Sequence, residues 1–175
     1  MELRKLSRTI GLGQEMILDL QVQHRVNEMR ASMSKLGVNV TPRRAKVLET
    51  LASTDCHPTV NEIHSEVRRL YPSTSLATIY NTIELLKEAG QVLELEFSGS
   101  ANRYDGLRPD SHPHLICLSC RSVEDMDMCE IEDVSLDQVS HASGYQLVRL
   151  RTDYYGICPA CQETGEGSTS SVGHK

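Results

Sequence analysis

The chain has 175 residues, enough for one larger domain or two small ones, and a 39% hydrophobic fraction with one Phe and no Trp, so its core is expected to be mostly aliphatic. No run of about 18 apolar residues occurs, which excludes a helical membrane span, and the N-terminus lacks the apolar stretch of a secretory signal, so the expected compartment is the cytoplasm. The net charge of -6 is uneven, +2 over residues 1–90 and -8 over residues 91–175, so the first half suits a polyanionic partner better than the second.

Residues 1–13 read as a flexible N-terminal arm. From about Gln14, Leu18, Val22, Val26, Met29, Met33 and Leu36 step at helical spacing, and Gly37 suits the position just past a helix end. Thr41-Pro42 reads as an N-cap with proline at the first helical position, and Arg43, Arg44 and Lys46 cluster in the turns that follow. Val47, Leu48 and Leu51 give that helix its apolar side. After His57-Pro58, the pair Thr59 and Glu62 fits a capping box for a helix carrying Val60, Ile63, Val67 and Leu70, stopped at Tyr71-Pro72. The next helix is expected from Ser75 to Ala89-Gly90, with Leu76, Ile79, Ile83 and Leu86 inward. Its other face offers Thr78, Asn81 and Thr82 beside Tyr80, short hydrogen-bonding groups of a kind that read a major groove.

A hairpin over Gln91 to Tyr104, with its turn at Ser98 to Ser100, completes a winged helix-turn-helix. Two readings stay open at that point: a DNA-binding module over residues 14–104, or a generic three-helix-plus-hairpin unit without a ligand. Residues 105–111 read as a hinge. The second domain, residues 112–162, opens on a strand holding His112, His114, Cys117 and Cys120. A second strand is expected over Arg121 to Met128, a helix over Glu130 to His141, and a third strand over Tyr145 to Tyr155. Pro113 between the two histidines points to an edge strand that leaves their rings reachable. The tail, residues 163–175, is Gly/Ser/Thr-rich and expected to be disordered. The fold class is therefore α+β: an N-terminal winged helix followed by a small α/β domain.

Cys117, Cys120, Cys158 and Cys161 form two CxxC pairs. In a reducing compartment such pairs are metal ligands rather than disulfides, and four thiolates with no further donor describe a closed structural Zn2+ site. An iron-sulfur cluster or a redox dithiol is the alternative. Cys56 and Cys129 have no such partner and read as plain thiols, with Cys56 placed beside His57. On an extended strand His112 and His114 point to one face, and Asp105, Asp110, Glu124, Asp125 and His57 are candidates to complete a site with them. Mixed imidazole and carboxylate donors suit Fe2+, Mn2+ or Zn2+.

Taken together, Thr41-Pro42-Arg43-Arg44, His57-Pro58-Thr59, Ala77-Thr78-Ile79-Tyr80-Asn81, Asn102-Arg103-Tyr104-Asp105, His112-Pro113-His114-Leu115-Ile116-Cys117 and the two CxxC pairs resemble the ferric uptake regulator (Fur) superfamily, from about Gln23 to Cys161. The resemblance implies a cytoplasmic homodimer that represses transcription by binding a palindromic double-stranded DNA operator, and is not an enzyme. It implies structural Zn2+ on the four cysteines. It also implies one regulatory Fe2+ or Mn2+ on His57, Asp105, His112, His114 and Asp125. Arg44 and Lys46 would meet phosphates, and Thr78, Tyr80 and Asn81 would read bases. Aspartate at 105 and 125 is most like the peroxide-sensing (PerR-type) branch, which implies Fe2+-catalysed oxidation of a ligand histidine. Glu124 beside Asp125 leaves the register of that ligand open, since the iron-uptake branch carries glutamate there. Rival expectations are an iron-responsive repressor of metal-uptake genes, a non-haem metal enzyme built on the His/Asp cluster, and a purely structural zinc-ribbon adaptor.

Overall fold

The computed structural model describes residues 12–97, 100–126, 136–148 and 150–165. Of the arm expected over residues 1–13, residues 1–11 lie outside the described residues while 12 and 13 open the first helix; the hairpin turn at 98 and 99, Cys129, the first part of the helix expected over Glu130 to His141, and the tail beyond 165 also lie outside the described residues. By its internal contacts the chain divides into two compact units, residues 1–110 and 111–175. No helix among the described residues is long and apolar enough to cross a membrane.

The first unit is a helical layer carrying a short hairpin. Helix α1 (Leu12–Lys35) packs on α2 (Pro42–Ala52) and α4 (Leu76–Glu88), and α3 (Val60–Leu70) packs on both α2 and α4. Each start has a chemical cause. The Thr41 hydroxyl accepts the backbone N–H of Arg44 ahead of Pro42 at α2, and Ser75 does the same for Thr78 at α4. At α3 the capping box is complete in both directions between Thr59 and Glu62. Each such cap contributes about 1 kcal/mol. Gly37, just past the end of α1, sits at φ +73°, a conformation that glycine adopts without a Cβ clash.

The core is aliphatic: Val26, Met29, Met33, Leu48, Leu51, Ile63, Ile79, Ile83 and Leu86 are buried together, with Tyr104 as their aromatic member. Three residues expected on inward faces are at the surface instead, Leu36, Leu70 and Leu76. Each lies within one position of a helix end. Thr82, expected outward, is fully buried and donates to the Thr78 carbonyl at 2.7 Å. That bond satisfies its hydroxyl inside the core, a pattern that alternation of polar and apolar residues does not reveal.

Strands β1 (Leu93–Leu95) and β2 (Arg103–Asp105) form the antiparallel hairpin, with Leu93 opposite Asp105 and Leu95 opposite Arg103. Glu94 ties the hairpin to α4. Its Oε1 accepts from Asn102 Nδ2 at 2.8 Å and from the Tyr104 hydroxyl at 2.9 Å, and its carboxylate pairs with Lys87, which also meets Glu84 at 3.0 Å.

The second unit holds a three-stranded sheet in the order β4-β3-β5. Strand β3 (His114–Cys117) runs antiparallel to β4 (Val123–Asp125) and parallel to β5 (Asp153–Gly156). The edge-strand expectation for the His-Pro-His segment is therefore wrong. Pro113 stands just before β3, where its missing N–H breaks no ladder, its carbonyl accepts from Met126 N at 2.9 Å, and β3 itself is central. His112 and His114 are buried rather than reachable. Among the described residues the second strand is confined to 123–125 and the third to 153–156, both shorter than expected. Helix α5 (Leu136–Ser143) and a short α6 (Pro159–Glu163) complete the unit. Glu163, expected to open the tail, ends α6.

Candidate metal centres and nucleic-acid face

The four cysteines converge in the second unit. Cys117 ends β3, Cys120 lies in the turn after it, and Cys158 and Cys161 flank the start of α6. One sulfur of each lies within 4.8 Å of the others, and the Cys120 and Cys158 sulfurs are 3.8 Å apart. Sulfurs on one tetrahedral Zn2+ at about 2.3 Å stand about 3.8 Å from each other, so the donor set and its spacing fit that ion. No disulfide joins the described cysteines. The backbone N–H of Cys158 donates to the Cys117 sulfur at 3.3 Å and, against the opposing effect of burial, holds that thiol down to about 6. Hydrogen bonding to Ser122 lowers Cys120. Ser119 pulls Cys161 down, but hydrogen bonding with Cys158 and burial outweigh it and push the thiol up to about 11.

In the first unit, His57 and Asp105 meet. The segment after α2 runs beside β2: Tyr104 N donates to the Pro58 carbonyl at 3.1 Å, Arg103 donates to the His57 carbonyl at 3.0 Å, and Thr59 bridges to Arg103. That pairing brings the buried His57 ring to the buried Asp105, with Nε2 3.7 Å from Oδ2. His57 sits at φ +46°, a left-handed conformation that costs a non-glycine residue on the order of 1–3 kcal/mol and is held by these bonds. Asp105 divides its work. Oδ1 accepts the backbone N–H groups of Leu107 and Arg108 at 2.8 and 2.9 Å, which fixes the turn and aims Oδ2 at His57.

The turn is anchored from below. Arg25 of α1, itself buried, donates to the Gly106 carbonyl at 2.8 Å and to the Gln91 carbonyl at 2.7 Å. A Cβ on Gly106 would stand 2.6 Å from Leu51 Cβ, so only glycine lets the turn lie this close to α2.

In the second unit, the sheet register selects the carboxylate. His114 faces Asp125 across β3–β4, while Glu124 stands opposite Leu115 on the other side of the sheet and is exposed. The Asp125 Oδ1 is 2.9 Å from His112 Nε2 and 3.9 Å from His114 Nε2, and the two imidazole centroids are 4.4 Å apart. Asp110 is exposed. Donors sharing an ion at about 2.0–2.2 Å stand roughly 3–4 Å apart, so the 3.7 Å separation in the first unit and the 3.9 Å separation in the second, too long for hydrogen bonds, are each of the size found between two donors to a cation. Cys56 is half-buried, its sulfur 3.4 Å from Asp55 Oδ1.

On α4, Tyr80 and Asn81 are exposed, while Thr78 is half-buried with its hydroxyl 3.0 Å from the Ser75 cap. Arg44 turns its guanidinium back onto the Asn39 carbonyl at 2.9 Å, and Lys46 pairs with Glu49 at 3.4 Å. The exposed Arg43 donates to Ser73 in the turn before α4 at 3.0 Å. Reading the sequence alone missed the anchoring role of Arg25, the Glu94 network and Asp153, since each depends on a partner far away in the chain.

A winged helix joined to a unit rich in metal donors is the build of a metal-responsive, DNA-binding regulator, not an enzyme. The chain belongs to the ferric uptake regulator family, whose model matches residues 35–155. It is 33% identical over 144 residues to the peroxide-responsive repressor PerR of Staphylococcus epidermidis, covering 82% of this chain and 95% of that protein. The PerR of Staphylococcus aureus is 32% identical over 142 residues. Among solved structures, the ferric uptake regulator Fur of Helicobacter pylori, described as having three functional metal binding sites, superposes with a TM-score of 0.64 at 26% identity, covering 81% of this chain and 93% of that one. The Vibrio cholerae ferric uptake regulator gives 0.57 at 25% identity, covering 74% and 98%.

Proposed function

We propose that this protein is a metal-dependent transcriptional repressor that senses peroxide through oxidation of a ligand histidine. His57 and Asp105 of the first unit would share one regulatory Fe2+ or Mn2+ with His112, His114 and Asp125 of the second, and Zn2+ on the four cysteines would hold the second unit together. Binding one ion from both units would couple metal occupancy to the posture of the α4 helices on DNA, and each equilibrium would strengthen the other. Arg44 and Lys46 would meet phosphates, and Thr78, Tyr80 and Asn81 would read a palindromic operator, each half-site by one subunit of a homodimer. Leu115 and Tyr154, exposed neighbours on one sheet face, support such a self-association. A cytoplasmic location goes with this reading.

The observation that carries it is the donor set, three buried imidazoles with two aspartates and no thiolate, together with relatives named for peroxide response. Bound Fe2+ would supply the redox chemistry that lets H2O2 oxidise an adjacent imidazole, and Mn2+ would not. The protein's part would be to hold His57, His112 and His114 buried, with their carboxylate partners aimed at them.

The test is anaerobic Fe2+ loading, a brief exposure to low H2O2, then peptide mass spectrometry beside an operator-binding assay. A one-oxygen gain on His57, His112 or His114 with loss of DNA binding supports the reading. Unmodified histidines with Fe2+-dependent DNA binding would favour an iron-responsive repressor of metal-uptake genes, the reading that the fold likeness to the Helicobacter pylori protein supports.

A further inference from the structure

Strand β5 overlaps the third strand expected from the sequence, and none of its residues is among the metal donors named above. The register of the sheet gives one of them a role. His114 on β3 has Asp125 beside it on β4 and Asp153 beside it on β5. Its two ring nitrogens divide between these carboxylates: Nε2 lies 3.9 Å from Asp125 Oδ1, and Nδ1 lies 3.8 Å from Asp153 Oδ1.

We propose that Asp153 is a positioning residue for the regulatory metal, holding the His114 imidazole by Nδ1 so that the Nε2 lone pair is the one presented to the ion. The inference rests on the reading above that His114 is a ligand. A neutral imidazole carries one N–H and one lone pair, and a carboxylate at Nδ1 draws the proton to that nitrogen. Metal-binding histidines characteristically donate their second N–H to such a group, which fixes ring orientation and raises ligand basicity. His114 is fully buried, so its orientation falls to the protein groups around it.

The surroundings of Asp153 mark it as a support rather than a ligand. Arg151 Nε donates to Oδ1 at 3.0 Å and its guanidinium lies 2.8 Å from Oδ2, while the Tyr155 hydroxyl donates to Oδ2 at 3.3 Å. The adjacent guanidinium offsets the carboxylate's charge, and the three side chains alternate along one face of an extended chain. Oδ1 keeps a second lone pair for the imidazole. The 3.8 Å separation exceeds a hydrogen bond by about 0.6 Å, a gap that a small turn of the ring closes, as contacts at functional sites do when their ligand is engaged.

The experiment uses the full chain with zinc on the cysteines. Imidazole 15N spectra of the metal-free regulatory site read the His114 tautomer directly: Nδ1–H is expected, and an Nε2–H ring would overturn the proposal without any variant. Asp153→Asn should mix the tautomers and weaken Mn2+ binding, measured by chelator competition, by about 10- to 100-fold. Parent-like Mn2+ affinity in Asp153→Asn overturns the inference. His114→Ala separates the levels: if it too binds Mn2+ like the parent, the metal reading itself fails, whereas loss in His114→Ala alone removes only the role of Asp153.

Discussion

The Asp105 carboxylate faces two ways, one oxygen capping the Leu107–Arg108 turn and the other lying 3.7 Å from the His57 imidazole. The shorter acidic side chain is matched to both tasks at once, because the turn it caps begins within its own reach. Asp105→Glu should lose the cap and displace the oxygen aimed at His57. The first unit should fall in stability by about 1–3 kcal/mol in urea, and Mn2+-dependent operator binding should weaken with it. Asp105→Asn keeps an acceptor for the turn, so it should unfold near the parent midpoint while its metal affinity falls. Equal metal affinity in both variants and the parent would remove Asp105 from the site.

Gly106→Ala tests the close approach beneath that turn. The added methyl would meet Leu51 Cβ at 2.6 Å, with the Leu51 carbonyl and Met29 Cε both at 3.1 Å. Overpacking of this kind costs about 1–3 kcal/mol. A lowered urea midpoint with an unchanged slope, joined to weaker Mn2+ binding, is the expected result.

The hairpin anchor gives the first unit a pH signature. Burial opposes ionisation of Glu94, but hydrogen bonds from Lys87, Asn102 and Tyr104 outweigh it and lower its pKa below the ordinary 4.5. Its stabilisation is therefore present above pH 4.5 and lost as pH falls through the lowered value. Lys87 is raised above 10.5, chiefly by its hydrogen bond to Glu94, so its share is present below that value and lost as pH rises through the raised one. Burial and Glu94 likewise raise Tyr104. Glu94→Gln should flatten both flanks of a plot of thermal midpoint against pH. An unchanged acid flank would show that Glu94 does not set it.

Zinc removal should act on the second unit alone. Among the described residues the buried apolar groups there are few, chiefly Ile116 and Val123 with Cys117 and Cys161 themselves. Such a core depends on its ion, as small metal-stapled domains do. Chelation, or Cys117→Ser, should abolish one unfolding transition and leave that of the aliphatic helical unit in place, as calorimetry would record.

On α4, two neighbouring positions should separate stability from recognition. Asn81→Ala removes an exposed amide and should weaken operator binding by about 1–3 kcal/mol with little change in unfolding. Thr82→Val loses the buried bond to the Thr78 carbonyl, so it should shift the unfolding midpoint and leave DNA affinity alone. A reversal of this pattern would place the recognition face elsewhere.

Local signals in the sequence determined the helices, their caps and the two CxxC pairs, because each depends on residues a few positions apart. The side chains of Thr41, Thr59 and Ser75 reach only their own first turns, so their effect can be read without the fold. Thiol spacing is equally local, and family motifs supplied His57, Asp105, His112 and His114 as candidates. Tertiary structure decided what depends on long-range pairing. That Asp125 and not Glu124 lies beside His114 follows from a register in which one residue of slip would turn the carboxylate to the opposite face. His114 is buried on the face of β3 opposite the exposed Leu115, and the approach of Asp153 to His114 follows from a parallel pairing across 39 positions of chain. No periodicity within a strand encodes which strand lies beside it, so those relationships exist only once the sheet has formed.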